Sequence, residues 1–206
     1  MREAIMSALE SCITGAIASS FTGNTLANNP AITGIASTAG LFAGLPAVGG
    51  SAPGGAFIQS LDSPSQVTLT AAPTADGTGV SFLTGFQTVG RRVIPWNQIE
   101  AQPALFLIGA DEERAVKYGQ PPRRTMGVEL LVYTDVGSNP DFAPGVALNN
   151  FADAIEAALA RDNVLTNTLT LGKLVQHCWI EGKIEFYPGD LGSQAKMLIP
   201  VKILIP

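Results

Sequence analysis

The stretch LVQHCWIEGKIEFYPGDLGSQAKMLIPVKILIP (residues 174–206) decides the fold. It holds the only histidine of the chain, His177, beside one of its two cysteines, Cys178, with Glu181, Glu185 and Asp190 close behind. Read as chemistry, this is a candidate active site. Read as backbone, it is two strands joined by a turn around PGDLGS (188–193). In a strand, successive side chains point to opposite faces. Cys178, Ile180, Ile184 and Phe186 then share one face, and His177, Trp179, Glu181, Lys183, Glu185 and Tyr187 share the other. A Cys–His nucleophile pair needs both groups within hydrogen-bond reach, which adjacent strand positions do not allow. His177 and Glu181 share a face but stand roughly 13 Å apart at about 3.3 Å per residue. Cross-strand ion pairing or contact with another subunit accounts for them better. Aromatic residues among charges, as with Trp179 and Tyr187, are typical of interfaces.

Working upstream, PGVALNNFADAIEAALARDN (144–163) predicts a helix, with Leu148, Phe151, Ala152, Ile155 and Leu159 at helical spacing behind Pro144. TMGVELLVYTDV (125–136) alternates as a strand, and PALFLIG (103–109) suits a strand buried on both faces. The charged segment between them, ADEERAVKYGQPPRRT (110–125), extends these strands as a long hairpin arm. FQTVGRRVIPWNQIE (86–100) reads as a strand interrupted at Pro95. REAIMSALESCITGAI (2–17) predicts an amphipathic helix with Ile5, Leu9, Cys12, Ile13 and Ala16 along one stripe. The order implies an α+β fold, a mainly antiparallel sheet packed by two helices.

A neutral segment interrupts this pattern. Charged residues form 14% of the 206-residue chain, against roughly 25% in an average soluble protein. No charge of either sign occurs from Ser11 to Leu61, and no Lys or Arg between Glu3 and Gly90. The middle of this region, AITGIASTAGLFAGLPAVGGSAPGGAF (31–57), is rich in Gly, Ala, Ser and Thr. Thr33, Ser37, Thr38 and Pro46 break it before the run of about 18 apolar residues that a membrane span needs. It is either a flexible low-complexity loop or an arm lying on a neighbouring subunit. Its second half, QVTLTAA (66–72) and GVSFLTGF (79–86) about a turn at Asp76-Gly77, predicts a β-hairpin. The expected division is a core of 1–20 and 86–206 with an insertion at 21–85.

Composition excludes several functions. Two distant cysteines and one histidine are too few for a zinc site of nitrogen and sulfur ligands. Both thiols are expected reduced and buried, as in a protein assembled in a cytoplasm. The first residues lack the layout of a signal peptide. No phosphate-binding glycine loop and no G-x-S-x-G elbow occurs, so no cofactor, metal or catalytic residue is expected. Arg91, Arg92, Arg114, Lys117, Arg123 and Arg124 supply half of the basic residues. Glu100, Asp111, Glu112 and Glu113 are interleaved with them, which points to ion pairs within or between subunits rather than sequence-specific DNA binding.

The helix and residues 86–206 resemble the tail terminator proteins of long-tailed, siphovirus-type bacteriophages. The resemblance lies in RRVIPWNQIEAQPALFLIGADEE (91–113), RRTMGVELLVYTDVG (123–137), LNNFADAIEAALARDN (148–163) and LTLGKLVQHCWIEGKIEFYPGDLGSQAKMLIPVKILIP (169–206). It implies a structural virion protein of the tail and neck that is not an enzyme and assembles in the host bacterial cytoplasm. Such a protein forms a homohexameric ring on the tail tube protein, ends tube polymerisation, and offers a surface to the head–tail connector protein. DNA passes through its channel without sequence-specific binding, and there is no membrane partner. The expected contact residues are the six basic residues above with Trp179 and His177. Other head–tail joining, tail-completion or tail tube proteins share the pattern, and a small Cys/His hydrolase is the rival of a different class. The family's link after the first helix is short, so the neutral segment is a departure. Its removal (25–80) is expected to leave a folded core and weaken particle joining.

Overall fold

The structure, a computed structural model, describes residues 1–17, 20–39, 41–45, 47–83, 85–116, 118–119, 122–135, 144–189 and 194–206. Among the described residues the chain is an α+β fold of two α-helices and two mainly antiparallel sheets. Helix α1 (Arg2–Ile17) buries Ile5, Leu9 and Ile13 completely, with Met6 beside them. The expected stripe holds at these three positions. Cys12 is only half-buried and Ala16 is exposed, because the helix rolls toward Met6.

The neutral segment is an ordered sheet. Its strands are β1 (Ser20–Leu26), β2 (Asn29–Thr33), β3 (Ala47–Val48), β4 (Ile58–Ser63), β5 (Gln66–Leu69) and β6 (Gly77–Leu83). They lie in the order β3-β6-β1-β2-β5-β4, with every pairing antiparallel. The expected β5–β6 hairpin does not form. Strand β5 pairs with β2 and β4, and β6 pairs with β1 and β3. The Asp76 carboxylate accepts a hydrogen bond from the Ala27 N–H at 2.7 Å, so this Asp-Gly pair ties two loops together instead of turning a hairpin. The tight turns fall elsewhere, at Ala27-Asn28, where Asn28 takes φ 61°, and at Pro64-Ser65. Close packing requires one glycine: a Cβ at Gly23 would lie 2.5 Å from Ile32 Cγ2.

The second sheet comprises β7 (Thr88–Gly90), β8 (Ala104–Ala115), β9 (Arg123–Asp135), β10 (His177–Ile180), β11 (Glu185–Tyr187) and β12 (Gln194–Ile205). Its order is β10-β12-β9-β8-β7, with β11 also on β12. The expected strand over 86–100 shortens to β7, which pairs in parallel with β8. Beyond it the chain turns through a short 3₁₀ helix at Trp96–Gln98. The hairpin arm is present, with β8 and β9 paired out to Ala115↔Arg123.

The strand expected at 174–187 is broken in two, and Pro200 supplies the reason. Its carbonyl accepts from the Glu181 N–H, so the side on which proline lacks a donor faces this neighbour. From Ile180↔Val201 to Glu185↔Leu198, five steps along one strand answer three along β12. The slip is an even number, so the two faces keep their residues. Residues 190–193 of the expected turn lie outside the described residues.

One face of this sheet is the core. Met126, Val128, Leu130 and Val132 of β9 and Ala195, Met197, Ile199, Val201, Ile203 and Ile205 of β12 pack there with α1 and α2 (Pro144–Ala158). Leu148, Phe151, Ala152 and Ile155 of α2 are buried as the spacing predicts. Buried residues of the neutral sheet, including Ile32, Val80 and Phe82, belong to the same cluster. Phe42 meets Phe151 edge-on at 5.3 Å, and Phe86 stacks on Phe151 at 5.4 Å. A smaller cluster on the opposite face joins Ala104, Phe106 and Leu131 to Ile99 and Trp96 of the loop after β7.

Candidate interaction surface

Strand pairing fixes what the outer face of the second sheet presents. Across β10, β12 and β9, one row reads Trp179, Lys202, Gly127, and the next His177, Leu204, Thr125. Further along, Tyr187, Lys196 and Tyr133 form another row. Asp111, in the bulge of β8, reaches over Gly127 to Lys202 at 3.1 Å. Any Cβ at Gly127 would lie 1.8 Å from the Asp111 carboxylate, so glycine keeps this crossing open. The face is half-exposed, aromatic and charged.

His177 and Trp179 stack at 4.8 Å with planes 23° apart. The His177 Nδ1 accepts a hydrogen bond from the Leu169 N–H at 3.2 Å, which places the ring proton of the neutral imidazole on Nε2. Trp179 Nε1 donates to Glu181 at 2.7 Å. Lys196 sits over the Tyr187 ring at 4.5 Å, and the Tyr187 hydroxyl donates to Glu185 at 2.6 Å. That bond, with Lys183 beside the carboxylate, lowers the Glu185 pKa, and the same bond and the charge of Glu185 raise that of Tyr187.

Cys178 is fully buried opposite Ile203, and burial pushes its thiol up to about 12. The thiolate is therefore negligible at neutral pH, and the alternating faces keep His177 away from it. Ile180 and Ile184 pack against the core as expected, whereas Phe186, expected with them, is 41% exposed at the sheet edge. Burial likewise raises the Cys12 thiol, helped by Asp162, and its Sγ donates to the Ala158 carbonyl at 3.2 Å.

The basic residues are not gathered on one face. Arg91 clamps α1, donating to Glu3, to Ser7 at 3.0 Å and to Glu10 at 3.1 Å. Glu112 is a hub on the arm. It accepts from Arg2 at 2.6 Å, Arg124 at 3.0 Å and Arg114 at 3.3 Å. Arg114 and Arg124 stand directly opposite in the ladder, a repulsive pairing that Glu112 relieves. The Arg2 hydrogen bond, followed by those of Arg124 and Arg114, outweighs desolvation and holds the Glu112 carboxyl at about 2. Thus Arg91, Arg114 and Arg124, expected at a contact, are joined within the chain. Arg92 and Arg123 are exposed and make no ion pair among the described residues. Lys117 lies outside the described residues.

Sequence reading missed the Glu112 hub, because its partners are 2, 12 and 110 residues away. It also missed the exposed pair Val164-Leu165 and a cavity lined by Phe57, Trp96, Ile99 and Pro103. The one signal for the pair was two apolar residues between Asn163 and Thr166. Among the described residues no cluster of His, Cys, Asp or Glu could hold a metal ion, and no helix is long and apolar enough to cross a membrane. No protein-family model matches the sequence, and no curated protein matches it significantly.

Proposed function

We propose that the chain is a structural virion protein, a tail terminator that assembles into a homohexameric ring. In this role it caps the phage tail tube, ends polymerisation and offers its other face to the head–tail connector. The observation that carries the reading is the outer face of the second sheet. Trp179, His177, Tyr187, Leu198 and Leu204 lie there among Lys196, Lys202, Glu181 and Glu185, and all are intermediate or exposed. A sheet face that mixes half-exposed aromatics with charge suits association with another protein surface. The resemblance of residues 86–206 to tail terminators supplies the specific assembly. The rigid two-stranded arm of β8 and β9, tied to α1 through Glu112 and Arg2, is suited to reach a neighbour.

The mechanism is steric. A ring seated on the tube end covers the surface to which the next tube subunit would add, and leaves the axis open for DNA. Binding surfaces take the place of an active site, and the protonated, buried Cys178 agrees with this. The test is tube length. Purified protein added to polymerising tail tube protein of the same particle should arrest elongation and appear at one end of each tube in electron micrographs. Unchecked elongation at saturating protein would refute the reading.

A further inference from the structure

The loop after α2 is built to hold two apolar side chains in solvent. Asn163 and Thr168 pair across it through two backbone hydrogen bonds of 3.0 and 3.3 Å. Inside the turn, Asn163 Oδ1 accepts from the N–H groups of Leu165 and Thr166. Thr166 and Thr168 hydroxyls bond at 2.7 Å, Arg161 donates to Asn167, and Asp162 accepts twice from Thr170. At its apex Val164 is 81% and Leu165 97% exposed. A mobile loop would not need this many local bonds. The bonds fix a knob whose apolar tip is unmatched within the described residues.

A receptacle of fitting chemistry lies on the same molecule but out of the knob's reach. The cavity of about 580 Å³ beside Pro103 has walls of Phe57, Trp96, Ile99 and Pro103, with Glu100 exposed at its mouth. Leu169 closes the knob loop onto the start of β10, at one edge of the second sheet and at the Leu204 end of β12. The cavity borders the start of β8 and the end of β9, which is the opposite end of the strands. It also lies toward the opposite edge, where β7 sits. The two features therefore cannot meet within one chain.

We infer that Val164 and Leu165 of one copy insert into the Phe57–Trp96–Pro103 cavity of the next, a head-to-tail contact between opposite ends of the sheet. Charge favours this occupant. The loop from Arg161 to Lys173 carries Arg161, Asp162 and Lys173, a net charge of +1, and Glu100 stands at the cavity mouth without an ion pair among the described residues. The net charge of -5 disfavours an anionic lipid surface as the alternative. Such a contact is heterologous, so it closes into a ring or runs on as a filament. The choice of a second copy rests on the ring reading proposed above.

The test uses two full-length variants. Leu165→Asp spoils the knob at a side chain that touches little, and Ala101→Trp plugs the cavity mouth from an exposed position. Both should keep the wild-type circular dichroism and melting temperature. Each alone should weaken self-association by about tenfold or more. Mixed one to one, they should form a dimer that stops at two, because only one knob and one cavity remain intact. A Leu165→Asp chain that still forms the wild-type oligomer would overturn the inference and leave the ring reading standing. A wild-type chain that stays monomeric would overturn both. Folded variants that never form the mixed dimer would also overturn it. So would wild-type binding to phosphatidylcholine vesicles that is lost in Leu165→Asp while the oligomer is unaffected.

Discussion

The two sheets of this molecule have six strands each and opposite means of cohesion. The sheet of β8, β9 and β12 is made of long strands rich in large aliphatic residues, alternating along β12 and buried on both faces in the middle of β8 and β9, and ion pairs secure its arm and cross its outer face. The neutral sheet has strands of two to seven residues, bulges in several pairings, and glycines set against side chains. Long alternating strands can specify register by themselves. Short neutral ones depend on a surface to pack against, and here that surface is the shared core with Phe151 at the junction. The neutral segment is part of the folded body.

Breaking the junction should have the largest effect. Phe151→Ala removes the ring that Phe42 and Phe86 both contact, at a cost of about 3–5 kcal/mol. Because the core is shared, urea denaturation should show one transition shifted down. Two separated transitions would mean that the sheets unfold independently. The same logic sharpens the expectation for removing 25–80: the second sheet should keep its strand pairing but melt lower and bind a hydrophobic dye at its uncovered core.

A pair of glycine substitutions should separate the two kinds of packing. Gly23→Ala in the neutral sheet drives a methyl into buried Ile32, with Ile35 and the Thr33 carbonyl close behind, and should cost about 1–3 kcal/mol. Gly127→Ala meets the tip of a flexible, largely exposed Asp111, which can swing away from Lys202. Losing that ion pair should cost about 0–1 kcal/mol. Equal costs in thermal denaturation would remove the proposed distinction.

The smallest effect is confined to acid pH. The folded Glu112 pKa of about 2 lies below its ordinary value of 4.5, so the unfolded chain binds the proton first as pH falls. The stabilisation from Glu112 is complete above about pH 4.5 and disappears as pH drops toward 2. The difference in melting temperature between wild type and Glu112→Gln should be constant near neutral pH and shrink to nothing over that window. A difference that persists at pH 2 would show that the hub does not act through its charge.

The second sheet was legible in the sequence because alternation in 125–136 and 194–206 and the helical spacing of Leu148, Phe151 and Ile155 are strong local patterns. The division of His177 from Cys178 followed from the same rule. The break at Glu181–Ile184 was signalled by Gly182, which takes φ 121°, and by Pro200 on the partner strand. In the neutral segment, small residues leave no periodic contrast, and Asp76-Gly77 carried a hairpin signal that the β1–β6 pairing overrode. The basic residues could be named but not assigned. Whether Arg91 faces outward or grips Glu3 and Glu10 depends on a contact more than 80 residues away in sequence.

The ring is the central claim, and native mass spectrometry of the purified chain tests it most directly. The account predicts one dominant species at six times the 21.4 kDa of a single chain, seen end-on as a closed six-fold ring with an open axis. A chain that remains at 21.4 kDa at every concentration, or a compact dimer with no central opening, would contradict it.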